Sequence, residues 1–327
     1  MTTVEVRPAT EADVDAGRVE FPGIAVDHWA EGSNRRCFVA ATAGGDVLGF
    51  CRAVDNAAHP GSRVMALAVS KRLDGVDADA DAVRDALLRA QVEASTLPLR
   101  MKVYEYQTSD RALARRFGGV AIQATPPWRF AVDDAMRAWA AEHRAAVEPI
   151  GDADRPDVRE LEVDHYIAQH ASWSPAAPRE VMLDYFAEDH EPGSPTAWDP
   201  ERSVLLRREG HVIAAALLWP GSNGAPGDGR EVSLLSRPYE GPHARADKEA
   251  CLAAVIDSAA DGEVLLVDCH VTEALERDMM MAVPGRTRAA TDTWMAIVSI
   301  PVPGEPRPVA VDADLLPDEA DWIRDLR

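Results

Sequence analysis

With 327 residues, 46% of them hydrophobic and 27% charged, the chain has the length for two domains and a globular composition that excludes a disordered segment-repeat protein. Its 34 basic residues against 55 acidic ones leave a net charge of −21, which excludes nucleic acid as a main partner because that binding depends on cationic neutralisation of phosphates. The imbalance is uneven: residues 1–145 hold 18 Lys+Arg and 20 Asp+Glu (−2), and residues 146–327 hold 16 and 35 (−19).

No run approaches the ~18 apolar residues that a membrane helix needs. The opening MTTVEVRPATEADVD lacks the basic and apolar regions of a signal peptide, so a cytoplasmic location and no membrane partner are expected. Cys37, Cys51, Cys251 and Cys269 form no C-x-x-C pair and read as small buried hydrophobes.

In chain order, Val4-Glu5-Val6 is an alternating strand, and Thr10 caps a helix with Glu11 and Asp13 in its first turn. Strands 36–42 and 46–54 flank a Gly44-Gly45 hairpin turn, and 62–69 is a third apolar strand. Val83, Ala86, Leu87 and Ala90 put an apolar face on a helix over 80–95. Strand 99–104, helix 109–117 before Gly118-Gly119, and strands 121–124 and 128–132 follow, giving a first domain over 1–133. Residues 134–146 read as a helical connector.

The order then repeats. Val147–Ile150 echoes the first strand, and helices span 155–170 and 178–190. Strands 203–208 and 211–219 flank a Glu209-Gly210 turn. Strand 230–236, helix 245–259, strand 263–268, helix 272–282 and strand 293–300 complete a second domain over 147–300. A Pro-rich tail covers 301–327. The fold class is therefore α/β (α+β), with two successive domains of one design, each a mixed, mostly antiparallel sheet flanked by helices.

This order resembles the GNAT acyltransferase superfamily. Val6-Arg7-Pro8-Ala9-Thr10-Glu11-Ala12-Asp13 looks like its common first strand and turn, 38–50 like its second and third strands, and 111–119 like the helix before its sixth strand. The resemblance covers nearly the whole chain as a tandem pair, as in mycothiol-synthase-like proteins. It implies an N-acyltransferase that moves an acyl group, acetyl above all, from acyl-CoA to an amine of a small metabolite, with acetyl-CoA or another acyl-CoA as cosubstrate. Acyl-CoA is expected where the fourth and fifth strands splay, its pyrophosphate held by backbone N–H groups of a Gly-rich loop at a helix start.

In the first half that loop carries Asp74, Asp77, Asp79 and Asp81, which oppose a pyrophosphate, so this half is expected to be structural. In the second half the resemblance places cofactor contacts on Leu234, Leu235, Ser236, Arg237, Gly241, Ala244, Arg245, Ala246 and Lys248. The tyrosine that often protonates the thiolate is missing: its place falls near Ala114 in the first half and among Met279–Met281 in the second. Either another group supplies the proton, or the pair is a catalytically degenerate ligand-binding or interaction protein.

Three candidate catalytic residues remain. Glu231 stands where some relatives place a general base. Asp268 and His270 end the fifth strand of the second half, two apart and so on one strand face, with a titration range suited to proton transfer. His165, Tyr166 and His170 lie on the helix that lines the acceptor pocket in this family. His165 and His170 lack a third ligand at metal spacing, so no metal is expected. Trp29 and Trp128 read as packing, as do Tyr104 and Tyr106 beside Glu105.

Overall fold

Two sheets organise the chain in a computed structural model, whose described residues are 4–27, 35–71, 73, 79–220, 229–286 and 293–326. Trp29, most of the first-half acidic loop (Asp74 and Asp77 included) and residues 221–228 lie outside them.

The first part of the chain runs β1 (Val4–Pro8), α1 (Glu11–Gly17), β2 (Arg35–Thr42), β3 (Val47–Asp55), β4 (Arg63–Val69), α2 (Ala80–Ala94), β5 (Leu99–Tyr104), α3 (Thr108–Arg116) and β6 (Val120–Thr125). Thr10 caps α1 in a capping box with Asp13, whose carboxylate also takes both terminal nitrogens of Arg7 at 2.6 and 2.7 Å. Next come β7 (Arg129–Ala131), α4 (Asp134–Glu142), β8 (Glu148–Pro149), α5 (Arg155–His170), α6 (Arg179–Tyr185), β9 (Val204–Arg208), β10 (His211–Leu218) and β11 (Arg230–Ser236). Then follow α7 (Ala244–Ser258), β12 (Val264–Val267), α8 (Ala274–Ala282), β13 (Met295–Ile300) and α9 (Asp321–Arg324). The β9–β10 hairpin turns on Glu209 (φ 53°) and Gly210 (φ 84°), the left-handed pair that a two-residue turn demands. The helix expected over 178–190 stops at Tyr185, and a 3₁₀ turn covers Glu188–His190.

The sheet orders are β1-β2-β3-β4-β5-β13-β6 and β7-β12-β11-β10-β9-β8. They correct the expected domain limits. The last strand, assigned above to the second domain, pairs antiparallel with β5 of the first sheet, Met295 opposite Tyr104 and Ile300 opposite Leu99. Strand β7, expected to close the first domain, pairs with β12 of the second, Phe130 opposite Leu265. Each part of the chain thus gives its last strand to the other's sheet. The compact units are 1–124 with 295–327, and 125–294. Strand character depends on side-chain pattern, which says nothing about which sheet a strand completes.

Two further expectations change for the same reason. The connector is a core element of the second unit: Met136, Trp139 and Ala140 of α4 pack in one cluster with Cys251, Leu252 and Val255 of α7, and Trp128 joins them. The tail is part of the first unit, where Ala121 of β6 bonds Leu326 O and Val311 N, and Trp322 and Ile323 are buried. All four cysteines are buried and free. Among the described residues no helix is long and apolar enough to cross a membrane.

Candidate functional site

Each sheet holds a parallel pair that parts early. Strands β4 and β5 pair at Arg63–Leu99 and Val64–Arg100 and then diverge. Strands β11 and β12 pair from Arg230–Leu265 to Val232–Val267, while β11 continues to Ser236. The second gap has a chemically open edge. Trp219 N donates to Glu231 O and Arg237 N to Ile213 O, both at 2.8 Å, so the odd residues of β11 turn their peptide groups to β10. Val232, Leu234 and Ser236 therefore turn theirs toward β12. Beyond Val267 that neighbour has veered away, and the Leu234 peptide faces the gap. The Ser236 N–H is taken by Nδ1 of His165 at 3.2 Å, and Leu235 bonds to β10.

The helices that follow the two gaps differ at their starts. In the first unit the Asp79 side chain caps α2, accepting from Asp81 N at 3.0 Å, so the positive helix end already faces a carboxylate. In the second unit His243 precedes α7 as its N-cap and makes no side-chain capping bond. Gly241 is required before it: a Cβ there would lie 2.6 Å from Pro238 Cγ. Ala246 is exposed and Ala244 buried at this helix start, and exposed Arg245 pairs with Glu249 at 2.8 Å. Arg237 is held by Asp164 at 2.6 Å.

Lys248 departs from expectation. It is expected at a phosphate, but its side chain is 1% exposed and its ammonium contacts Glu276 of α8. The whole second turn of α7 is buried, Asp247, Glu249 and Ala250 as well as Lys248, so the ammonium has no solvent-facing side to reach from.

Around Lys248 lies a cluster that the sequence reading missed. Tyr239 Oη donates to Glu273 Oε1 at 3.1 Å, and His270 N donates to Glu273 Oε2 at 2.6 Å. His165 Nε2 is 3.8 Å from Glu276 Oε1, and its ring meets Tyr239 edge-on at 4.8 Å. Burial opposes the charged Glu273 carboxyl, but hydrogen bonds and charge from His270 hold it at about 2. Burial, then the Lys248 charge, push His165 well below its ordinary value, so it is neutral at pH 7. Burial, then Glu273 and Asp268, push the Cys269 thiol up, which removes it as a thiolate nucleophile. Burial also pushes Tyr239 up. The thiol of Cys269 and the carboxylates of Glu273 and Glu276 lie within 4.8 Å of one another, a donor set for a cation, and the Lys248 ammonium supplies positive charge there. Two signals pointed here: the single lysine of the acidic half, and Glu273 and Glu276 three apart at the head of an apolar helix.

The predicted residues divide. Tyr166, His170 and His270 come together: Tyr166 stacks on His170 at 3.9 Å, and His170 and Trp173 meet the His270 ring at 5.6 and 5.2 Å, while His165 contacts Tyr239 instead. Asp268 does not share a face with His270, because the strand ends at Val267; Asp268 is exposed and the carboxylate nearest His270 is Glu273, at 3.7 Å from Nδ1. Glu231 is exposed in the paired stretch opposite Leu266, before the strands part. In the first unit Tyr104 and Tyr106 stack at 5.6 Å, with Tyr106 exposed.

Solved structures share this architecture. A tandem GNAT protein from the clavulanic acid biosynthesis pathway superposes with a TM-score of 0.51 at 14% identity, over 91% of this chain and 98% of that one. The chain has the GNAT fold. An acetyltransferase of the GNAT family from Colwellia psychrerythraea matches at 0.50 and 11% identity, over 91% and 98%. A probable N-acyltransferase from Enterococcus faecalis matches at 0.50 and 12%, over 90% and 72%. No protein-family model matches the sequence, and no curated protein does. In GNAT terms the gap between β11 and β12 is the fourth-to-fifth strand splay of the second unit.

Proposed function

We propose that the second unit is an acyl-CoA-dependent N-acyltransferase, acetyl transfer above all, acting on an amine of a small metabolite. The observation that carries this is the open gap of the GNAT fold beside an uncapped helix start: the Leu234 peptide faces it, and α7 brings free positive helix end where α2 brings Asp79. In this reading the Leu234 peptide edge takes the amides of the pantetheine arm. Gly241, Ala244, Arg245 and Ala246 take the pyrophosphate, and Arg245 leaves Glu249 for it. The acyl-CoA supplies an activated thioester. The chain's own residues orient the two substrates and manage protons. His165, Tyr166 and His170 with Trp173 form the wall for the acceptor, and the −19 balance of residues 146–327 suits a cationic amine.

The test is release of free thiol from acetyl-CoA with a panel of primary amines, for the intact protein and for Arg245→Ala. The reading expects turnover with at least one amine and a raised KM for acetyl-CoA in the variant. No turnover with any amine, together with no effect of Arg245→Ala on acetyl-CoA binding, sinks it and favours the degenerate binding protein.

A further inference from the structure

A cleft of about 910 Å³ lies in the second unit, where the start of α5 faces the segment from Asp184 to Pro195. Its size is that of a small-molecule site. Charged and polar groups reach it from both sides: Arg155 and Arg159 from α5, Asp184 from α6, and Glu188, His190 and Glu191 from the turn and loop that follow. It is separate from the acceptor wall, because Arg159 precedes Tyr166 by about 10 Å of helix.

One guanidinium builds the cleft, and the other is left open in it. Arg155 is 7% exposed. Its Nε donates to Asp152 at 3.0 Å, its Nη1 donates to the His190 carbonyl at 3.2 Å, and its Cζ lies 4.4 Å from the Trp198 ring centroid. These contacts account for Arg155 as structure. Arg159, one turn further on, has no such account. Its Nε is buried without a partner, and among the described residues its guanidinium makes no ion pair. His190 is 5% exposed; its Nε2 lies 2.5 Å from Glu162 Oε2, and its Nδ1 has no partner. Buried polar atoms are nearly always bonded, so two unpartnered ones in the lining of a single cleft call for a ligand.

The charges say which ligand. Asp152 is taken by Arg155. Asp184, Glu188 and Glu191 are exposed and make no ion pair among the described residues. The unpaired lining charges are therefore one guanidinium and three carboxylates. A simple anion is repelled by that set, and a simple amine leaves the Arg159 fork unused. A molecule with one carboxylate and two cationic groups matches both. We propose that this cleft binds a basic amino acid, its carboxylate on the Arg159 fork and its two cationic groups among Asp184, Glu188 and Glu191. The planar fork of an arginine suits a carboxylate, which it takes through two parallel bonds.

The test is calorimetry on the full chain with no CoA present. The probes are lysine, norleucine (the same side chain without its ammonium) and 1,5-diaminopentane (lysine without its carboxylate). Wild type is expected to bind lysine, and to bind each of the other two at least ~10-fold more weakly. Arg159→Met is expected to lower lysine binding to the level of 1,5-diaminopentane while leaving 1,5-diaminopentane within about twofold. The double variant Asp184→Asn/Glu188→Gln, at two exposed positions, is expected to lower lysine binding toward the level of norleucine. Circular dichroism checks that both variants stay folded, and the exposed pair keeps the test open if Arg159→Met does not. The proposal is overturned if lysine does not bind, if norleucine or 1,5-diaminopentane binds wild type as tightly as lysine, or if folded Arg159→Met binds lysine unchanged. The last result would put lysine elsewhere, on the acceptor wall included. The proposal does not rest on the acyltransferase reading: a protein that fails to bind acetyl-CoA can still bind lysine here, and the reverse.

Discussion

Glu276→Gln removes the carboxylate in direct contact with Lys248 while keeping its size. Both side chains are buried, at 1% and 3% exposure, so water cannot replace the lost partner. Removing one member of a buried pair costs about 3–5 kcal/mol, because an uncompensated charge is left behind. The wild-type pair is already strained in this sense. A fall of the Lys248 ammonium from 10.5 to about 8 corresponds to roughly 3 kcal/mol lost by the charged form, at 1.36 kcal/mol per pH unit. Because the folded value lies below the unfolded one, the unfolded chain binds the extra proton between about 8 and 10.5, and wild-type stability gains from this group as pH rises across that window. In Glu276→Gln the folded value drops further, so the recovery starts at lower pH. Urea unfolding near pH 7 and near pH 9.5 checks this, with hydrogen exchange of α7 and α8 amides to assign the change to the second unit. A loss under about 1 kcal/mol at pH 7, or a loss that grows with pH, refutes the view of Lys248 as a desolvated ammonium held by Glu276.

Other outcomes follow from the same structure. Phe130→Ala empties a fully buried position of β7 and is expected to cost about 3–5 kcal/mol, with protection lost in β12 and α7 of the second unit rather than in β5 and β6; hydrogen exchange separates the two. Asp13→Asn breaks the tie to Arg7 and weakens the Thr10 capping box, costing about 1–2 kcal/mol in thermal unfolding at pH 7. Hydrogen bonds from Arg7, against a smaller opposing effect of burial, hold the Asp13 carboxyl at about 2, below its ordinary 3.8. Its contribution is therefore present above 3.8 and lost as pH falls through about 2, so the variant and wild type converge at strongly acid pH.

Most elements were legible because local chemistry fixes them: the Thr10 cap, the Glu209-Gly210 turn and the apolar face at Val83 and Leu87 appear as read. The strand exchange was not legible, since Phe130 and Ile300 look like core strand residues whichever sheet they join. At the site, His170 and His270, chosen from chemistry and position, lie ring to ring, and His165 stands beside Tyr239. Asp268 and His270 do not share a strand face because β12 ends at Val267, one residue before the first and three before the second. Lys248 was seen but sent to the wrong place: its charge suggested phosphate, while its place in the second turn of α7 puts it against Glu276. The Tyr239–Glu273 bond was not legible because it joins residues 34 apart in sequence.

The central claim is that acyl-CoA binds the second unit in the gap between β11 and β12. Calorimetry with acetyl-CoA on the intact protein, on Gly241→Val and on Asp79→Ala tests it directly. A side chain at 241 meets Pro238 and displaces the loop before α7, so Gly241→Val is expected to weaken binding at least ~10-fold, about 1.4 kcal/mol, while Asp79→Ala in the first unit leaves it within about twofold. Binding that survives Gly241→Val unchanged, or no binding by the wild-type protein, contradicts the account.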